Sequence, residues 1–201
     1  PVHNIIQSGT GNGSSFSTAV TLGSNNNWIH VMQTGDANQF SVHQGTSRAS
    51  TGNRTTLTQT GNYNEGTGTQ FGDDNTITIS QLGDTNIVTV NQSQNENSAT
   101  VDIIGNSNGG GLLSGAAATL AASNGLSSGL IEQDGMRNSS LYTVTSSDNN
   151  QFAFLQHGDD NSITGSVNGA GGNSATVVQN GSMNTANFTQ NGGGNVVSVN
   201  Q

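Results

Sequence analysis

The sequence predicts an all-β fold, a flattened two-sheet β-solenoid of cross-β type with parallel in-register rungs of about 22 residues, about eight or nine rungs in all. Three observations predict it. The string Gln-x-Gly-x-x-Asn recurs along the chain, with copies at Gln33–Asn38, Gln70–Asn75, Gln81–Asn86, Gln133–Asn138, Gln156–Asn161, Gln179–Asn184 and Gln190–Asn195. The segments between copies read Asn-x-h-x-h-x-Gln, with h usually apolar, which sets an 11-residue beat. The composition is poor in charge (7 %), has a single proline and is rich in Asn, Gln, Gly, Ser and Thr. Such a composition favours backbone and side-chain ladders over a charge-extended disordered chain. One repeat cannot bury its own apolar face, so repeats must stack.

The strands come first. Asn75-Thr-Ile-Thr-Ile-Ser-Gln81 and Asn86-Ile-Val-Thr-Val-Asn-Gln92 show the pattern most clearly. Alternate residues of a strand share a face, so the opening Asn, both h residues and the closing Gln point inward. The expected core is therefore Phe40, Val42, Ile77, Ile79, Val88, Val90, Phe152, Phe154, Val177, Phe188, Val197 and Val199. Gly66 and Gly68 fall on inward positions and are expected to leave the weakest rung.

The turns come next. Gly35, Gly72, Gly83, Gly135, Gly158, Gly181 and Gly192 supply the positive φ that a tight reversal needs. Inward amides are costly without partners. Identical amides at one-rung spacing bond to each other and to turn backbone, which satisfies both ends. The expected ladder and turn residues are Gln33, Asn38, Gln44, Gln59, Gln70, Asn75, Gln81, Asn86, Gln92, Gln133, Asn138, Gln156, Asn161, Gln179, Asn184, Gln190, Asn195 and Gln201. Ile103, Val144 and Val167 take the place of the closing Gln, so one ladder should be interrupted there.

Three places break the beat. Residues 19–26 and 45–52 lengthen connections, and 104–126 is a Gly/Ala/Ser-rich stretch expected to hold degenerate half-turns or to bulge as a loop. The chain is read as a single array over 1–201, with a repeat block at 1–103, the interruption at 104–126 and a second block at 127–201.

Several functions are excluded or weakened. With net charge −9, no lysine and three arginines (Arg48, Arg54, Arg137), neutralising nucleic-acid phosphate is not expected. Without cysteine there is neither a disulfide nor a thiolate metal site. No apolar run reaches the length of a membrane span. His3, His30, His43 and His157 have no ligand spacing, and no catalytic, cofactor or metal residue is expected. The opening at Pro1 reads as a mature or trimmed product, and Pro1 alone looks edge-blocking. Asp36, Asp73, Asp74, Asp84, Asp159 and Asp160 in the turns allow three readings: solubility and turn preference, gatekeeping by stacked charge, or weak Ca²⁺ capture.

These residues carry a family resemblance. The paired Gln and Asn spacings resemble the curlin repeat, most clearly over 27–103 and 127–201, in an array longer than the family's usual one. The resemblance implies a non-enzymatic subunit of extracellular curli fibres that is secreted by a Gram-negative bacterium and polymerises with itself. It also implies a nucleator subunit, an outer-membrane secretion channel and accessory chaperones as partners. The implied role is in biofilm matrix, adhesion and surface colonisation. Independently of the family, the full-strength repeat running up to Gln201 is expected to leave an edge for a second copy. The alternative is a soluble ice- or surface-binding solenoid, suggested by outward Thr56, Thr58, Thr76, Thr78 and Thr89.

Overall fold

The computed structural model describes residues 2–18, 26–45 and 50–201, apart from the side chains of 14–18. Pro1, Arg48 and most of the two lengthened connections lie outside the described residues. The chain is a two-sheet β-solenoid of about eight turns.

Odd-numbered strands build the first sheet: β1 (Val2–Ser8), β3 (Trp28–Thr34), β5 (Arg54–Thr60), β7 (Thr76–Leu82), β9 (Ser98–Ile104), β11 (Ser139–Thr145), β13 (Ser162–Asn168) and β15 (Thr185–Asn191). Even-numbered strands build the second: β2 (Gly13–Thr18), β4 (Gln39–Gln44), β6 (Glu65–Phe71), β8 (Ile87–Ser93), β10 (Leu130–Asp134), β12 (Gln151–His157), β14 (Ser174–Asn180) and β16 (Val196–Asn200). All ladders are parallel, and closing glutamines fall in register, as in Gln33↔Gln59 and Gln156↔Gln179.

Alternation sets the burial. On β7 the inward Ile77 and Ile79 are fully buried while Thr76, Thr78 and Ser80 are half-buried on the outside. Each buried Val, Leu or Ile of this kind contributes roughly 1.5–3 kcal/mol. One core runs along the stack from Ile29 to Ala186, with Ile5, Phe188, Val197 and Val199 partly buried against it near its two ends.

The glycine rung is not a void. A Cβ on Gly66 would lie 2.3 Å from Leu57 Cδ1, and one on Gly68 would lie 3.4 Å from Ile77 Cδ1. The facing sheet already fills the space, so this rung departs from the weak one expected. Gly165 does the same for an aromatic cluster: it sits between Tyr142 and Phe188 in one column, and its Cβ would meet Phe188 Cζ at 2.3 Å. Tyr142 packs its ring 4.5 Å from that of Phe152 and 5.3 Å from that of Phe154. Its hydroxyl is buried and has no hydrogen-bond partner, and burial pushes its pKa far above the usual tyrosine range.

Neither half-turns nor a bare loop occupies the interruption. It holds helix α1 (Gly115–Ser123), laid against the outer face of β14 and β16. Its boundaries also shift. Asn108 keeps its place on the beat, Gly109 N–H donates to Asn150 O and Gly129 N–H donates to Phe152 O. Only 110–128 therefore leaves the rung, between its first two strand positions. Ala121 and Leu126 pack there with Ala153, Val178, Leu120, Leu130 and Leu155 as a second, smaller apolar cluster.

Two stability outcomes follow. Tyr142→Phe removes an unpaired buried hydroxyl and should raise the unfolding free energy by about 1 kcal/mol in urea denaturation. Gly83→Ala would place a Cβ 2.1 Å from Gly105 O as well as forcing φ of 128°, whereas a Cβ on Gly181 meets only Asn184 Nδ2 at 3.6 Å. The backbone cost of about 1–3 kcal/mol applies to both, so Gly83→Ala should be the more destabilising in the same assay.

Candidate functional site

The candidate site is the set of surfaces through which one rung binds the next. The closing glutamines form its spine. In the second sheet Gln44, Gln70, Gln92, Gln133, Gln156, Gln179 and Gln201 form one continuous column. Each Nε2 donates to the Oε1 above it at 2.8–3.1 Å. The second N–H of each amide crosses to the backbone at the start of the facing strand, as in Gln70 to Arg54 O and Gln133 to Ser98 O, both at 3.0 Å. A glutamine thus ties two rungs and two sheets together.

The first sheet carries a shorter column, Gln7, Gln33, Gln59 and Gln81, with links of 2.6, 2.7 and 2.8 Å. Ile103, Val144 and Val167 then occupy the same register positions, and Gln190 stands beyond them. The break has consequences at both edges. Gln81 turns its freed N–H to Asn86 O at 3.0 Å, and buried Gln190 Oε1 has no partner.

Asparagines hold the corners. Eight of them, Asn12, Asn38, Asn64, Asn86, Asn108, Asn150, Asn173 and Asn195, run up one edge. Each Oδ1 accepts the backbone N–H of the next at 2.9–3.2 Å. Asn27, Asn53, Asn75, Asn97, Asn138, Asn161 and Asn184 do the same along the other edge at 3.0 Å. Their Nδ2 groups donate to turn carbonyls of the next rung, as Asn64 does to Gly83 O at 2.7 Å. Gln7, Asn12, Asn27, Asn53, Asn64, Asn97, Asn108, Asn150 and Asn173 were not among the expected ladder residues. Gln7, Asn12 and Asn64 belong to two further complete strings, Gln7–Asn12 and Gln59–Asn64, which the motif itself could have found. The other six stand on the same beat without a complete string, so spacing alone could have found them.

The turn acids act as acceptors for neighbouring backbone. Thr10 N donates to Asp36 Oδ1 at 2.7 Å, Asp36 N to Asn62 Oδ1 at 2.9 Å, Asn62 N to Asp84 Oδ1 at 2.7 Å, Asp84 N to Asn106 Oδ1 at 2.8 Å, and Asn106 N to Asp148 Oδ1 at 2.7 Å. Asp and Asn alternate, so no two carboxylates are adjacent in that column. At the opposite turns Asp73 accepts from Thr51 N and Asp159 from Met136 N. The bonds from Thr10 hold the Asp36 carboxyl below the usual carboxylate range. Asp74 and Asp160 stand one residue later, at the left-handed position. There Asp160 pairs with Arg137 at 2.7 Å, and the guanidinium lowers its pKa. Among the described residues no three His, Asp or Glu side chains gather as a metal site, and no helix is long and apolar enough to cross a membrane.

The glutamine column generates a test. Gln133→Leu removes the donor to Gln156 Oε1 and to Ser98 O and the acceptor for Gln92 Nε2. With buried groups left unpaired at about 1–3 kcal/mol each, the expected loss of unfolding free energy is at least that much. Equilibrium urea denaturation measures it.

No curated protein matches the chain. Residues 51–83 match the family model described as the curlin associated repeat. The matched segment carries Gln59, Gln70 and Gln81, three closing glutamines on successive strands β5, β6 and β7. With the β-solenoid fold around it, the match supports placing this chain in the curlin family.

Proposed function

We propose that the chain is a structural subunit that self-assembles head-to-tail into extracellular curli-like fibres. One observation carries the reading: each rung binds the next through the same bonds, repeated along the stack. A surface built to receive the neighbouring rung is also built to receive a rung of another copy. A contact of this heterologous kind does not close on itself and grows as an open filament. In this proposal β15 and β16 of one copy meet β1 and β2 of the next, and residues 1–201 act as one array.

The curlin match supports a fibre outside the cell, with roles in biofilm matrix, adhesion and surface colonisation. A nucleator subunit, an outer-membrane secretion channel and accessory chaperones are the partners that such a subunit requires. No step of the proposed function is catalytic. Ice or surface binding draws on a specific observation, the in-register column Thr56, Thr78 and Thr100 on the first sheet. His30 and Leu141 flank that column in the same register. A thermal-hysteresis measurement separates the two functions.

Purified chain should form thioflavin-positive fibres with a ~4.8 Å meridional repeat, the inter-strand spacing. Val199→Asp places a charge in the partly buried core of β16. Since burying an unpaired charge costs several kcal/mol, seeded elongation should slow on the order of tenfold or more. A wild-type chain that stays monomeric at high concentration in sedimentation would overturn the proposal.

A further inference from the structure

The outer face of the second sheet is not uniform. On β4, β6 and β8 the outward residues at its centre are Ser41, His43, Thr67, Thr69, Thr89 and Asn91. In the same columns further along stand Leu130, Ala153 and Thr176, and Glu132, Leu155 and Val178. Leu130, Ala153, Leu155 and Val178 are the apolar residues that 110–128 covers, with Ala121 and Leu126 packed on them.

The cover is fastened by outward polar side chains of the sheet. Gln151 Oε1 accepts from Gly111 N and from Ser128 Oγ, both at 2.8 Å, and so holds both legs of the excursion. Ser114 Oγ donates to Ser174 Oγ, and Thr176 Oγ1 donates to Ala117 O, each at 2.9 Å. Toward solvent, α1 presents Ala116, Thr119, Ala122 and Ser123. No charged residue occurs between Asp102 and Glu132, so the cover is uncharged. On the sheet the carboxylate of these columns is Glu132, between Asn91 and Leu155 where the patch begins.

A flat, mostly apolar sheet face mates readily with the same face of another copy, side chains interdigitating as in a dry zipper. We propose that 110–128 is a built-in cover that keeps the second sheet of one copy from pairing face to face with the second sheet of another. Growth is thereby confined to addition of rungs along the stack at this face. The filament form of this inference rests on the head-to-tail reading. Pairing of unassembled chains does not.

The test removes or lifts the cover. Deleting 110–128 and joining Gly109 to Gly129 restores the repeat length of the neighbouring rungs. Ala117→Glu with Ala121→Glu keeps the full chain but forces α1 off the sheet. Both variants should self-associate in sedimentation velocity where the freshly desalted intact chain is monomeric, and both should give filaments about twice as wide by electron microscopy, as two sheets stacked face to face require. Adding Leu155→Thr and Val178→Thr to the deletion should return the behaviour of the intact chain. A folded deletion variant that stays monomeric overturns the proposal, as does pairing that survives the two threonines. Should the deletion fail to fold, the two glutamates decide. If the intact chain forms no filaments, the head-to-tail reading fails, while the sedimentation comparison still decides this one.

Discussion

A buried amide must find both its donors and its acceptor, and in this fold only the adjacent rungs and the facing strand supply them. That constraint organises everything else. Gln133 is satisfied by Gln92 below, Gln156 above and Ser98 across the core. None of these is local in sequence. A single rung would therefore carry unpaired amides, unpaired turn N–H groups and half of an apolar core. Stability is cooperative along the stack because each rung completes the valences of its neighbours.

The same constraint explains the turns. Their backbone N–H groups are satisfied alternately by a carbonyl of one rung and an Asx side chain of another. The residue before the corner Asn adopts left-handed geometry even when it is Thr85 (φ 57°), Arg137 (56°) or Met183 (62°). Such backbone is unfavourable for residues of these types, and inter-rung bonds such as Thr85 N to Asn62 O at 2.9 Å hold it. Gly35, Gly72, Gly83, Gly135 and Gly158 are fixed by more than φ, because the carbonyl of the next rung occupies the place of a Cβ. Asp36, Asp73, Asp84 and Asp159 are acceptors in this network, a role distinct from solubility, gatekeeping or cation capture.

Function follows from repetition more than from any single residue. A rung that is complete only between two others makes each stacking surface a binding surface. The interrupted first-sheet column shows how far the array tolerates change: three apolar residues replace three amides together, and the mismatch falls only at the edges, on Gln81 and Gln190. The α1 excursion shows another limit. A 19-residue segment leaves one strand and returns without disturbing the asparagine column, because Asn108 and Gly129 still meet their rung partners.

The strands, their inward faces, the glycine corners and the glutamine columns were legible in the sequence, since a strand's two-residue period and an 11-residue beat leave one arrangement that buries Ile77, Val88 and Phe152 together. Asn27, Asn53, Asn97 and Asn108 were on the beat but hidden by incomplete motif strings. The helix within 104–126 was not legible: its Ala-rich run has no polar face to mark a helix, and only the apolar patch of Leu130, Leu155 and Val178 gives it a surface to lie on. Nor could the sequence show that Leu57 and Ile77 fill the space at Gly66 and Gly68, because facing contacts depend on the stagger between sheets. The sequence by itself determined the period, the faces and the rung. The tertiary structure decided which groups across rungs satisfy one another, because those partners are about one full turn apart in sequence and adjacent only after stacking.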